Sequence, residues 1–231
     1  DKKRQKKNTR LYFTFWVFFT LLFSFLAVYF ARVNPFIILL IIFPISEAVK
    51  YITDRIVSRI LPLSAVPRLN IEKIPDSAKT LTVITSLISD RDDSLFRQLE
   101  EFYLLTRDKN AYFGLLLDFS ESESESNDGD QDLINYTTEK ISSLNEKYGE
   151  YFYFFVRHRV KSKSENKYMG YERKRGALID LVSLLRGKDN TFSVVYGNKE
   201  NISDIKYVVT LDRDTKLYSG AVLDMVSAML H

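Results

Sequence analysis

The chain of 231 residues contains no cysteine. That excludes a disulfide framework and any thiolate metal site, and it suits a globular part that works in the cytosol. The chain also lacks the charge balance of a nucleic-acid-binding domain. Its net charge is only +3, and residues Asp1 to Arg10 alone hold six Lys or Arg against one Asp. The rest of the chain is therefore slightly acidic, with no basic patch expected on a folded part. A calcium loop of the EF-hand type is excluded as well. Counted from Asp212, its required ligand, glycine and glutamate positions are filled by Lys216, Leu217 and Leu223. There is no initiating methionine, so the chain is expected to be a piece of a longer polypeptide.

What the chain does have is a long run without charge. Leu11 to Ala31 has the length that crosses a bilayer core, with Tyr12 and Trp16 near its first end where aromatic belts sit. No small-residue cleavage motif follows it, so it reads as a spanning helix and not a signal peptide. After a turn at Arg32-Val33-Asn34-Pro35, a second apolar run starts at Phe36. It is interrupted by Pro44 and reaches spanning length only if it extends through Ile52. A hairpin of two spans over residues 11–52 is favoured over a half-embedded second helix. The basic tail, residues 1–10, is expected on the cytoplasmic side and against anionic lipid headgroups. Two spans would return residue 53 onward to that side. Ile52, Ile56, Ile60 and Val57 then form one face of an amphipathic helix, which lies either on the membrane or on the globular domain. Pro62 should stop it, and residues 53–78 read as this helix plus a proline-marked linker.

Residues 79–231 read as an α/β domain. Strands are expected at Leu81–Thr85, Tyr112–Leu117, Tyr151–Val156 and Tyr207–Leu211, and helices at Asp93–Thr106, Leu133–Tyr148, Ala177–Leu185 and Gly220–Leu230. The aromatic run at Tyr151 should be buried on both faces. The Ser/Glu-rich stretch from Ser120 to Asp130 is expected to be a mobile, solvated loop without a site. Alternation of strand and helix implies a mostly parallel sheet with helices on both faces.

The chemistry is concentrated at strand ends. Tyr207 to Leu211 runs into Asp212-Arg213-Asp214-Thr215. Parallel sheets place ligands at the carboxyl ends of their strands. Two adjacent acids there raise each other's pKa, a cost that a divalent cation on phosphate oxygens would relieve. The alternative is a charged strand-to-helix turn with Asp214 near a helix start. Asp118 ends another strand and can accept from a base N–H or a ribose hydroxyl. Arg173, Lys174 and Arg175 precede a helix start, where anions are favoured; the alternative is a solvated basic turn. A phosphoaspartate phosphatase shows strand-Asp-x-Asp-x-Thr near the start of its domain. Here Thr215 follows Asp214 directly and the strand is late.

Three blocks carry a family resemblance: Gly170-Tyr171-Glu172-Arg173-Lys174-Arg175-Gly176-Ala177-Leu178, Leu184-Leu185-Arg186-Gly187, and Tyr207 through Thr215. Together with Pro67-Arg68-Leu69, Tyr103-Leu104, Arg107-Asp108 and Leu117-Asp118-Phe119 in the same order, they resemble the glycosyltransferase segment of bacterial cyclic β-1,2-glucan synthases. The resemblance implies a GT-A-like fold, present as its donor-binding half behind a two-helix transmembrane hairpin in the bacterial inner membrane. It implies an inverting, metal-assisted transfer of glucose from UDP-glucose to a growing β-1,2-glucan at the cytoplasmic face, with Mg²⁺ or Mn²⁺ as cofactor. Asp212 and Asp214 would then hold the metal and diphosphate, and Asp118 would face uridine. Thr85 and Ser86 would flank the nucleotide, where the family usually shows proline. Arg173, Lys174 and Arg175 would lie near the diphosphate or the glucose. The family's catalytic base, acceptor side, further spans and carbohydrate-processing region lie beyond the counterpart of His231, so no catalytic base is expected here. The partners implied are UDP-glucose, a glucan acceptor, membrane lipid and the remainder of the same polypeptide. The fragment is expected to be inactive alone. The other function class that fits these residues is a membrane-anchored, non-catalytic binding or scaffold domain.

Overall fold

A computed structural model describes residues 2–32, 34–60, 66–162 and 164–231, with side chains from residue 8 onward. The side chains of most of the basic tail, and Pro62 with its expected helix stop, lie outside the described residues. The chain divides into two compact units, residues 1–65 and 66–231.

The first unit is a helical hairpin. Helix α1 is Lys2–Ala31 and helix α2 is Ile38–Ile60. Asn8–Ala31, inside α1, and Pro35–Ile60, which is α2 with the 3₁₀ turn ahead of it, are long and apolar enough to cross a membrane. Between the helices, the Asn34 side chain accepts from the Phe36 amide at 3.0 Å, and Pro35 opens a single 3₁₀ turn where no amide donor is needed. Small or short side chains line the contact between the helices: Thr20 and Ser24 on α1, Val49 and Thr53 on α2, all buried. Trp16 Nε1 donates to the Ser46 carbonyl at 3.0 Å, and the Tyr12 hydroxyl donates to Asp54. The expected amphipathic helix is not a separate element. It is the end of α2, which runs through Pro44 without a break to Ile60.

The second unit is a five-stranded sheet between helices. The elements are β1 (Thr80–Ile88), α3 (Asp93–Thr106), β2 (Ala111–Phe119), α4 (Asp130–Tyr148), β3 (Phe152–Arg157), β4 (Val160–Lys161), β5 (Tyr168–Met169), α5 (Arg173–Leu185), β6 (Phe192–Tyr196), α6 (Lys199–Ile202), β7 (Tyr207–Asp212) and α7 (Ala221–Leu230). Spatial order is β6-β3-β2-β1-β7, and β4 and β5 form a separate antiparallel ribbon. Strands β3, β2, β1 and β7 are parallel, while β6 is antiparallel to β3. Every residue of β2 and β3 is buried, as near-continuous apolar strands in a parallel sheet require.

Local chemistry sets the helix ends. The Asp92 carboxylate accepts the Ser94 amide at 2.8 Å and starts α3, whose Leu95, Phe96, Leu99 and Phe102 form the buried face. The Asn145 side chain both donates to and accepts from the Phe152 backbone, at 2.9 Å each way, and ties α4 to β3. One sheet face packs on α3, α4 and α7 through Leu99, Ile141 and Val222, and the other packs on α5 through Ala177 and Leu181. Helices therefore cover both faces, as expected. Helix α5 starts at Arg173, four residues before the expected start, so its basic run is the first helical turn. The β4–β5 ribbon, β6 and α6 were not expected from the sequence. The Ser/Glu-rich stretch is not free of the fold: Ser122 pairs with Tyr168 through backbone bonds of 3.0 and 2.8 Å, and Arg159 donates to the Ser120 carbonyl at 2.7 Å.

Candidate functional site

From β1 the chain steps through β2 to β3 in one direction, and it returns later to place β7 on the opposite side of β1. The carboxyl ends of β1 and β7 thus flank a topological switch point, where open α/β sheets form a ligand crevice. Thr85 and Asp212 are register partners there. Thr85 also aligns with Leu116, two residues before Asp118, and Asp118 aligns with Arg157. Aligned residues share a face and the period along a strand is two. Thr85, Asp118, Arg157 and Asp212 therefore lie on the face that α5 covers. Ser86 lies on the other face, and its hydroxyl donates to the Leu87 carbonyl at 3.1 Å. Asp118 and Asp212 are two strands apart, roughly 10 Å across the sheet.

The structure makes one direct link among the expected residues: the Lys174 ammonium, in the first turn of α5, is on the Asp212 carboxylate. Asp214 is exposed and has no ion pair among the described residues. The turn that carries both acids is closed by the Thr215 amide on the Asp212 carbonyl at 3.0 Å. Arg213, between them, pairs with Asp92 at the start of α3, and Gln98 Nε2 donates to the Thr215 carbonyl at 2.8 Å. Thr85 contributes a hydroxyl bond to the Leu211 carbonyl at 3.3 Å. The other two basic residues point elsewhere. The Arg173 guanidinium reaches Glu121 at 2.8 Å and Glu165 at 3.2 Å, and Arg175 pairs with Glu172 at 3.5 Å.

Asp118 is placed differently from an open nucleotide contact. It is buried, and Arg157 grips it with two bonds, Nε to Oδ1 at 2.7 Å and Nη2 to Oδ2 at 2.6 Å. Burial opposes the Arg157 charge, but the Asp118 carboxylate outweighs it and raises the guanidinium's pKa above its ordinary value. A uridine or ribose donor would therefore share an oxygen that Arg157 already uses. Each carboxylate oxygen has a second lone pair for that. Arg157 was missed in the sequence. Its signal was an arginine closing the wholly apolar strand Phe152–Val156, since a buried charge needs a partner.

Among the described residues no three His, Cys, Asp or Glu side chains gather as a closed metal site. Asp212 and Asp214 are two carboxylates on one turn, a donor set that a divalent cation could use only with phosphate oxygens and water completing its shell. As the structure stands, the Asp212 carboxylate is met by the Lys174 ammonium.

The fold and site define an α/β domain, mostly parallel, with an acidic turn and a basic helix start meeting at its switch point. No protein family model matches the chain. Over 167 residues, 70% of its length, the chain is 38% identical to the cyclic β-(1,2)-glucan synthase NdvB of Rhizobium meliloti (strain 1021). The resemblance to the cyclic β-1,2-glucan synthases is thereby shown over this segment. The match spans about 6% of that protein's own length.

Proposed function

We propose that residues 66–231 form the donor-binding part of a GT-A-like glucosyltransferase that uses UDP-glucose. Residues 1–65 would hold it at the bacterial inner membrane, with the sheet on the cytoplasmic side. The observation that carries this reading is the contact of Lys174 with Asp212 at the β1/β7 switch point, in a chain similar to a glucan synthase.

In this reading the diphosphate lies over the end of β7. Asp212 and Asp214 would hold Mg²⁺ or Mn²⁺, which would supply positive charge against the negative charge growing on UDP as glucose leaves. Lys174 moves from the Asp212 carboxylate to the phosphate oxygens, which compete for its charge. Thr85 borders the base, Ser86 is turned to the opposite face of β1 and takes no part, and Asp118 accepts from the uridine while remaining on Arg157. Arg173 and Arg175 lie at the outer rim, where release from Glu121, Glu165 and Glu172 would free them for phosphate. Transfer to the β-1,2-glucan is inverting, and none of residues 66–231 is assigned the role of base.

Titration calorimetry on the chain purified in detergent tests the reading. UDP should bind in the presence of Mn²⁺ and more weakly without it, and ADP should bind more weakly than UDP. Equal affinity for the two nucleotides would remove the role given to Asp118. No binding of either would sink the donor-site reading.

A further inference from the structure

We propose that Arg157 is a positioning residue: it sets the left-handed turn that delivers Lys174 to Asp212. The proposal rests on the donor-site reading above and concerns how that site is assembled.

A guanidinium has five N–H donors in a fixed fork. Neutralising Asp118 uses two of them. The other three all reach α5 and the segment that leads into it. Nη1 donates to the Tyr171 carbonyl at 2.9 Å and to Asp180 Oδ2 at 3.4 Å, and Nη2 donates to the Arg173 carbonyl at 2.8 Å. Each donor has an acceptor, and the side chain is only 1% exposed. A residue that merely balanced Asp118 would not need this pattern.

The turn so held is one the backbone does not choose freely. Glu172 and Arg173 are consecutive non-glycine residues in the left-handed region, with φ of 49° and 48°. Such conformations persist where the surroundings over-determine them. Here the surroundings are the two carbonyl bonds to Arg157 together with the Arg173 amide on the Gly170 carbonyl at 3.1 Å. The glycines on either side make the approach possible. A Cβ at Gly170 would stand 2.6 Å from Asp118 Oδ2 and 2.7 Å from Arg157 Nη2. At Gly176 it would stand 1.9 Å from the Tyr171 carbonyl oxygen and 2.8 Å from Arg157 Nη1. Lys174 follows the turn directly. The direction of its side chain toward Asp212 is therefore a consequence of where Arg157 holds the residues before it. One guanidinium thus connects the acid proposed for the nucleoside to the cation proposed for the diphosphate.

The test compares the wild-type chain with Arg157→Lys and Lys174→Ala by amide hydrogen exchange and by UDP titration with Mn²⁺. Lysine keeps the charge on Asp118 but cannot span both carbonyls. Exchange at residues 171–176 should rise about tenfold or more in Arg157→Lys, with the β2 and β3 amides unchanged, and UDP affinity should fall about tenfold. Lys174→Ala should weaken UDP and leave exchange at 171–176 as in wild type. Wild-type exchange in Arg157→Lys overturns the proposal, as does a rise spread evenly over the sheet. If Arg157→Lys does not fold, Gly176→Ala decides, because its methyl pushes the Tyr171 carbonyl off Arg157. The same local rise and weaker UDP binding support the role, and no change in either overturns it. If the wild-type chain binds no UDP, the donor-site reading fails, and the exchange arm still decides whether Arg157 sets the turn.

Discussion

Two arginines at the end of one strand serve different ends. Arg157 faces the site, whereas Arg159, just beyond β3, is buried against Asp130 at the start of α4 and also donates to the Ser120 carbonyl at 2.7 Å. Burial pushes the Asp130 pKa up, but the hydrogen bonds and charge of Arg159 prevail and hold it below the ordinary carboxylate value. Its folded-state pKa is thus depressed, so the stabilisation is present above the unfolded value and is lost as pH falls through the folded one. Asp130→Asn should cost about 3 kcal/mol at pH 7, because it leaves a buried guanidinium without its counter-charge. The cost should shrink as pH falls below about 4, where the unfolded-state carboxylate takes up a proton, and it should be lost as pH passes through the lower folded value. Urea unfolding of both proteins across that range checks it. A mutant cost independent of pH would show that Asp130 contributes shape and not charge. At this scale the sequence was informative about types of residue more than about partners. Asp118 and Asp212 stood out as acids ending apolar strands, but the pairing of Asp118 with Arg157 needs the register of β2 with β3, which no local pattern contains.

Among the elements, α3 does more than cover the sheet. Its cap, Asp92, accepts the Ser94 amide and also pairs with Arg213 between the two candidate metal acids. Hydrogen bonds to Ser94 come first among the effects that lower the Asp92 pKa. Asp92→Ala should cost about 1 kcal/mol from the lost cap. It should also weaken Mn²⁺-dependent UDP binding, because the turn carrying Asp212 and Asp214 loses its tie to α3. Thermal unfolding and titration on one sample separate the two effects. Loss of stability with unchanged UDP affinity would mean that the turn is held by Gln98 and its own backbone bond. The helix was legible to the residue, since apolar residues recur at helical spacing from Asp93 to Thr106. The basic run was placed just ahead of a helix start at Ala177, whereas α5 begins at Arg173. Gly176 therefore sits inside the helix, where the Tyr171 carbonyl and then Arg157 leave no room for a Cβ. Strand β6 went unseen because Phe192 to Tyr196 is short and gains its place only by pairing with β3. The amphipathic end of α2 was read as a separate helix since hydrophobic pattern changes there while the backbone does not.

For the molecule as a whole, the hairpin reading has a direct consequence. Reporters fused ahead of residue 8 and after residue 66 should lie on the same side of the membrane, the cytoplasmic side. Opposite sides would leave a single span. The mostly parallel sheet and its helices were legible because strand and helix alternate along residues 79–231. The site was legible as a set of strand-end residues, and its assembly was not, because Lys174 meets Asp212 through the α5 turn and not through sequence spacing. The central claim is that Asp212 and Asp214 hold a cation against the diphosphate of a sugar nucleotide. The most direct measurement is Mn²⁺-dependent UDP affinity together with thermal stability on one sample of Asp214→Asn. The amide keeps the side chain's shape and removes the charge. The expected result is loss of the Mn²⁺-dependent part of UDP binding, about a hundredfold, with melting close to wild type. Wild-type UDP affinity in Mn²⁺, with only about 1 kcal/mol lost in stability, would contradict the metal site and reduce the pair of acids to a charged turn.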